Sequence, residues 1–368
     1  MTGTFRAPVS ARSTRVSRTV VPFEDRSGLL RMDRNEDVTG WEEDRLREVL
    51  KRLGPADLAA YHDADRVQAR IADWLGFQSA NISITAGSSE AVQLVFETYL
   101  DDGGLALSLD PSYGLYEVFA AKCGGRLEGA PFDEHLRVDI DALISRLLSE
   151  APSLVVIANP NQPTGTILDE GILRRLAEAA KSVNAVLLVD EAYCLFTPVT
   201  ALGLVHEFPN LIVTQTFSKA MGLAGLRLGY CVGPQERIRE IDRLRPLTQS
   251  NAVALAVAEY LLDHLDWALE RVRATIEGRE FLVSSFQDMG LVTFDSHANF
   301  VLLGCASSEG ARALIDEARS RGYAIRGPLR GFPLDDFVRV TVGPKRLMEA
   351  FLADNESSIR AYARPVGH

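Results

Sequence analysis

The chain has 368 residues, 46% of them apolar and 24% charged, which is material for a sizeable core and excludes disorder throughout. At this length two domains, or one large and one small, are expected. A formal net charge of −11 excludes a general polyanion binder, because nucleic-acid affinity rests on clustered Lys and Arg, so no nucleic-acid partner is expected.

The first segment, MTGTFRAPVSARSTRVSRTVV, carries Arg6, Arg12, Arg15 and Arg18 with no acid before Glu24. It has no signal-type apolar region and reads as a flexible arm in preference to a transit peptide. From about residue 40 to 250, short β-branched runs alternate with helical patterns, as βαβ units of a mostly parallel sheet do. The strand candidates are Asn81–Thr85, Leu105–Leu109, Leu154–Ala158, Ala185–Asp190, Leu211–Thr216 and Leu228–Val232. Between them the clearest amphipathic helix is Gly171–Val183. A long helical stretch from Asn251 to about Met289 follows, and then FDSHANFVLLG, a helix around Glu309–Arg321, YAIRGPL and FVRVTV suggest a smaller α/β unit. The expected division is an arm or part of the small domain at 1–40, a large domain at 41–254 and a small C-terminal domain at 255–368. Strand order is not readable from the pattern.

Cys123, Cys194, Cys231 and Cys305 lie far apart, lack CxxC spacing and sit mostly in apolar runs, so they read as reduced, buried thiols of a cytoplasmic protein. The six histidines show no ligand spacing, and no metal is expected. No apolar run approaches the ~18 residues that a membrane span needs.

In an open α/β sheet, ligands gather outside the carboxyl ends of the parallel strands. Five polar clusters directly follow strand candidates here: AGSSEA, PSYGLY, NPNQPTG, DEAY and FSKAMGLAGLRLGY. Any one alone would be an ordinary loop; their recurrence is the signal. Gly87-Ser88-Ser89-Glu90 opens a helix after a strand, so free N–H groups and the helix dipole would face a bound anion, although a serine there is more often a helix cap. Ser218 and Arg227 flank Lys219 and can add a hydroxyl donor and a forked guanidinium to the same phosphate. Lys219, between an apolar strand and a Gly-rich turn, is poorly placed for solubility; partly desolvated near another cation, it suits Schiff-base chemistry. Asp190 ends the apolar strand AVLLVD and needs a cationic partner, which a protonated pyridine nitrogen would supply. Tyr193 can reach a phenolic oxygen of that ring and Tyr113 can stack on its face, although each alone is more often core packing.

These motifs, in this order and spacing, resemble fold-type I pyridoxal-phosphate enzymes of the class I/II aminotransferase family, most closely the histidinol-phosphate aminotransferase branch. The likeness runs from RMDRNED at Arg31–Asp37, through YHD at Tyr61–Asp63, to FVRVTVG at Phe337–Gly343. FSKAMGLAGLRLGY with an upstream DEAY is its most specific part. The resemblance implies an aspartate aminotransferase-like large domain with helices on both faces of the sheet, and pyridoxal 5'-phosphate joined to Lys219. It implies Asp190 at the pyridine nitrogen, Tyr193 at the phenolic oxygen, Tyr113 stacked on the ring, and Ser88, Ser89, Ser218 and Arg227 on the phosphate, with Thr216 a weaker candidate. It further implies a homodimer in which Tyr61 reaches the neighbouring subunit's phosphate, with Arg339 gripping a substrate carboxylate or phosphate and Arg326 as a second anion contact.

Two departures bear on the substrate. Gln162 stands before the PTG triplet where the family usually has an Asn that contacts the cofactor's phenolic oxygen, and Asn35-Glu36-Asp37-Val38 replaces the common NENP. The expected activity is transfer of an amino group between an amino acid, or an amino-alcohol phosphate such as histidinol phosphate, and a 2-oxo acid. Decarboxylation, elimination or cyclisation on the same fold is an alternative, since a carbanion-stabilising cofactor serves whichever Cα bond breaks. A non-catalytic pyridoxal-phosphate sensor is disfavoured, because the stretch before residue 40 cannot hold a helix-turn-helix module.

Overall fold

In the computed structural model, which describes residues 11–16, 25–247, 250–329 and 331–367, seven strands form the main sheet. In chain order the strands are β1 (Leu30–Met32), β2 (Ile82–Thr85), β3 (Leu105–Asp110), β4 (Arg126–Pro131), β5 (Leu154–Ala158), β6 (Val186–Asp190), β7 (Leu211–Thr216), β8 (Gly229–Val232), β9 (Phe300–Gly304), β10 (Tyr323–Ile325) and β11 (Phe337–Thr341). The main sheet has the order β2-β8-β7-β6-β5-β3-β4. Only β8 runs antiparallel to its neighbours, so β2 through β7 all point their carboxyl ends to one edge.

The apolar runs of β5 and β6 are continuous because both faces of the sheet are covered. Val155, Ile157, Leu187 and Val189 enter one hydrophobic cluster, whereas Leu154, Val156, Val186 and Leu188 enter another. That alternation is the two-residue period of a strand read as two buried faces. Helices Ser88–Tyr99 and Leu115–Cys123 cover the second face, and helices Asp65–Leu75, Ile140–Glu150, Glu170–Ser182 and Ala252–Asp263 pack on the first. Asp169, Asp139 and Asn251 cap three of these helices, each side chain accepting from a backbone N–H three residues on.

A further apolar cluster joins Met32, Leu282, Val301, Leu303, Val338, Val340 and Phe351. It lies among the antiparallel pair β9–β11, the parallel pair β1–β10 and helices Leu265–Asp288, Ser308–Ser320 and Lys345–Tyr362. Met32, with Leu30 and Val38 packed alongside, thus joins this core.

Three details depart from the sequence pattern. The stretch from Asn251 to Met289 is two helices, broken at His264, whose φ of −130° and ψ of 39° lie outside the helical region and end the first. β4 was not expected; it is an edge strand, and Arg126, Glu128, Gly129 and Pro131 deny it an apolar run. Cys123 is half-buried, while Cys194, Cys231 and Cys305 are buried, all four as free thiols. Most of the basic segment read as an arm lies outside the described residues; Ala11–Arg15 is a short helix whose Arg15 pairs with Asp102 at 2.6 Å. No helix among the described residues is long and apolar enough to cross a membrane.

Candidate active site

The loops after β2, β3, β5, β6 and β7 carry the five polar clusters to the same edge of the sheet. There they line a cavity of about 310 Å³ with Ser88, Ser89, Tyr113, Gln162, Asp190, Tyr193, Thr216, Ser218, Lys219 and Arg227 on its walls. A more open chamber of about 740 Å³ shares Arg34, Tyr113, Gln162 and Lys219 with it and adds Asp33, Ser112, Arg326 and Arg339. Of the expected site residues only Tyr61 stands apart within one chain: it is 88% exposed and lines neither space.

At the start of helix Ser88–Tyr99 the cap is Gly87, with φ of +83° and no side-chain cap bond, so neither Ser88 nor Ser89 serves as the helix cap. Gly87 is needed for a second reason: a Cβ there would meet Arg227 Nη2 at 2.6 Å. A Cβ on Gly229 would come within 2.5 Å of the Ser88 N, so the two glycines let Arg227 and the helix start share one corner. Arg227 itself adopts φ of +53° and reaches the Ala86 carbonyl and Ser218 Oγ, both at 3.4 Å. Ser218 Oγ is 2.9 Å from Thr216 Oγ1, and Ser89 Oγ is 3.0 Å from Tyr113 Oη. Arg227 makes no salt bridge among the described residues. Hydroxyls, a helix N-terminus and an unpaired guanidinium together form a cradle for a phosphate-sized anion.

Asp190 is 4% exposed and has no cationic partner among the described residues. Burial raises its pKa to about 6, although Tyr116 Oη donates to one carboxylate oxygen at 2.9 Å and Thr214 Oγ1 to the other at 3.1 Å. A buried carboxylate held in place yet lacking a cation fits a protonated ring nitrogen. Tyr193 Oη accepts from Asn35 Nδ2 at 2.8 Å and donates to Gln162 Oε1 at 2.6 Å. Burial raises the Tyr193 pKa to about 12, with Arg339 opposing that rise. Lys219 Nζ donates to the Arg34 carbonyl at 3.1 Å; burial, with the nearby Arg339 and Arg227, lowers its pKa to about 8. An amine so depressed is neutral roughly one-tenth of the time at pH 7, a far larger share than for an ordinary lysine.

Arg339 is 8% exposed and makes no salt bridge among the described residues; its Nη2 donates to the Asp33 carbonyl at 3.1 Å and its Nε has no partner. Burial holds its pKa below the ordinary guanidinium value. Arg326 lies beside it through paired backbone bonds of 3.0 and 2.7 Å. Tyr116, Thr214 and Asn35 were not among the expected site residues. A signal existed for two of them: Tyr116 is one helical turn beyond Tyr113, and Thr214 is two residues before Thr216 on the same strand face.

A mostly parallel sheet with an amine, a buried carboxylate and an anion cradle around one cavity at its carboxyl edge defines an aspartate aminotransferase-like α/β enzyme. The chain belongs to the family described as aminotransferase class I and II, which matches residues 45–353. It is 33% identical to the histidinol-phosphate aminotransferase of Jannaschia sp. over 316 residues, covering 85% of this chain and 87% of that protein. It is similar to the crystal structure of histidinol-phosphate aminotransferase from Sinorhizobium meliloti in complex with pyridoxal-5'-phosphate, with a TM-score of 0.80 and 28% identity over 90% of this chain and 91% of that one. Aspartate aminotransferase from Thermus thermophilus shares the fold, with a TM-score of 0.77 at 18% identity over 96% of this chain and all (100%) of that one.

Proposed function

We propose that the protein is a pyridoxal-phosphate-dependent aminotransferase that moves an amino group between an amino acid, or an amino-alcohol phosphate such as histidinol phosphate, and a 2-oxo acid. The observation that carries this reading is that the half-buried Lys219 and the buried Asp190, neither ion-paired among the described residues, line one cavity together with the anion cradle around Arg227. Pyridoxal phosphate, when bound, supplies a carbonyl that condenses with amines and a ring that draws electrons from the substrate Cα.

Ser88, Ser89, Ser218 and Arg227 hold the phosphate, with Thr216 orienting the Ser218 hydroxyl. Asp190 would pair with the ring nitrogen and keep it protonated. Tyr193 and Gln162, on the cavity wall, would face the ring's phenolic oxygen, and Tyr113 would pack against the ring face. Lys219 Nζ would anchor the cofactor and is the group placed to accept and return the proton of the substrate Cα. Its lowered pKa favours an amine that can be free of its proton and able to accept one. Arg339 binds the substrate carboxylate or phosphate, and Arg326, in the adjoining chamber, offers a second guanidinium to a doubly charged substrate.

The proposed enzyme is a cytoplasmic homodimer in which Tyr61 of one subunit completes the phosphate site of the other; its high exposure in the single chain supports this. The proposed division is a large cofactor-binding domain at 41–254 and a small domain at 255–368, with residues before 40 joining the latter. The test is direct: incubate the purified, pyridoxal-phosphate-loaded protein with histidinol phosphate and with a panel of amino acids, each with a 2-oxo acid acceptor. Formation of the acceptor's amino acid supports the reading. Release of carbon dioxide or ammonia with no amino transfer overturns it.

A further inference from the structure

We propose that Tyr116 and Thr214 are positioning residues that keep Asp190 charged and fixed, with Tyr116 also setting the ring of Tyr113. The proposal rests on the reading that pyridoxal phosphate occupies this cavity. Neither residue lines the cavity; both act from behind its wall.

Tyr116 sits in the first turn of helix Leu115–Cys123 and is fully buried (0% exposed) in the cluster that covers one face of the sheet. Its hydroxyl is the only polar part of that side chain, and it ends 2.9 Å from Asp190 Oδ2. Thr214, also 0% exposed, reaches the other carboxylate oxygen from β7 at 3.1 Å. Buried hydroxyls must be hydrogen-bonded, and each of these finds its partner on the same carboxylate. Two donors on two oxygens, from a helix and from a neighbouring strand, fix both the position and the plane of the carboxylate. The Tyr116 ring also meets that of Tyr113 edge-on, with centroids 5.5 Å apart, while Tyr113 Oη bonds Ser89. One side chain thus supports the group beneath the ring nitrogen and the group against the ring face.

Hydrogen bonds to the ionised form favour it, so each donor works against the burial that favours the neutral acid. The other titratable groups whose charge Asp190 feels or influences are Tyr113, Tyr193, Glu191, Cys194 and Cys231, all acidic groups that are uncharged when protonated. Glu191, which burial raises to about 7, would when ionised favour the protonated acid further. Among these groups none supplies the positive charge, which leaves the two hydroxyls and the Ala192 N–H as the opposition to desolvation.

The sign follows. Removing a donor raises the Asp190 pKa, so the carboxylate is lost at a higher pH as pH falls, and a positively charged ring is held less well from that pH downward. Equilibrium binding of pyridoxal phosphate to the cofactor-free protein should therefore be measured between pH 5 and 9 for wild type, Tyr116→Phe, Thr214→Val and the double variant. Tyr116→Phe keeps the ring contact with Tyr113 and removes only the hydroxyl; Thr214→Val keeps the shape of the side chain. For each single variant the acid limb should move upward by about one pH unit, with affinity roughly fivefold weaker at pH 6, close to tenfold weaker at pH 5 and nearly unchanged at pH 9, as expected for loss of one bond to a charged group. The double variant should move further. Weakening by the same factor at every pH, in whichever variants fold, assigns these residues a merely structural role and overturns the proposal. Unchanged binding overturns it as well, while the functional reading stands. Failure of the wild-type protein to bind pyridoxal phosphate overturns both.

Discussion

Tyr193 donates its hydroxyl proton to Gln162 at 2.6 Å, so the glutamine that replaces the family's usual asparagine engages the tyrosine directly. Its Nε2 remains a donor without a protein partner among the described residues, on the wall shared by the cofactor cavity and the outer chamber. Gln162→Asn withdraws the carboxamide by about one C–C bond length, ~1.5 Å, and breaks that bond. The pH titration of the bound cofactor's visible band should shift, by less than about one unit for a net bond of roughly 1 kcal/mol. Relative kcat/KM over several amino donors should stay within about twofold. A changed donor ranking with an unaltered titration would instead make Gln162 a group that reads the substrate.

A second prediction concerns Lys219. The purified protein should be yellow, and borohydride should bleach the band and leave the cofactor covalently on Lys219 in a peptide digest. Lys219→Ala should give no covalent label. Because burial and nearby Arg339 lower the amine's pKa to about 8, its labelling in the cofactor-free protein by an amine reagent should rise through pH 8, well below the range of ordinary lysines. Covalent cofactor on another residue would refute the assignment.

How far the sequence carried this picture depends on where each residue's partners lie along the chain. β5, β6 and β7 were legible because strands covered on both faces are continuous apolar runs, and Asp190 and Lys219 stood out as charges at the ends of such runs. The order of the strands and the edge strand β4 depend on tertiary neighbours that no local pattern encodes. Asn35 was illegible for the same reason, since it meets Tyr193 across 158 positions, and Tyr116, despite its spacing from Tyr113, looks like packing in an apolar helix until its hydroxyl is found beside Asp190. The serines of AGSSEA read as caps by local rules; the positive φ of Gly87 removes that reading. Tyr61 belongs to another category, because an assignment that requires a second chain has no geometry within one.

The exposure of Tyr61 leads to a third prediction, on assembly. If each site takes its tyrosine from the neighbour, inactive Tyr61→Phe and Lys219→Ala proteins mixed under subunit-exchanging conditions should regain activity. The mixed dimer has one site in which both defects meet and one in which neither does, so complete exchange should restore about a quarter of wild-type activity on the simple counting of half the dimers with half their sites intact. Size measurement by light scattering should show a dimer throughout. A stable, fully active monomer, or no recovery despite demonstrated exchange, would refute the shared site.

The last prediction turns on Arg339. A guanidinium that is 8% exposed, in the middle of a buried strand, with a free Nε and no carboxylate bonded to it among the described residues is an incompletely satisfied charge. Such a charge destabilises the fold unless something compensates, and here the compensation within the chain is modest: one bond to the Asp33 carbonyl and the face of Phe300, 5.3 Å away. A structural arginine in this position would be expected to have its ion pair built in. Leaving the fork open towards a chamber that also holds Arg326 and Lys219 suits an anion that comes and goes. Arg339→Lys keeps the charge and loses the planar fork, so substrate KM should rise by about 30- to 100-fold, the equivalent of roughly 2–3 kcal/mol for a charge-assisted bidentate pair. The dissociation constant for pyridoxal phosphate should change by less than about threefold, since Arg339 faces the outer chamber and not the phosphate cradle. Measuring both constants on the same preparation separates the two roles, and an equal loss of substrate and cofactor affinity would return Arg339 to the scaffold.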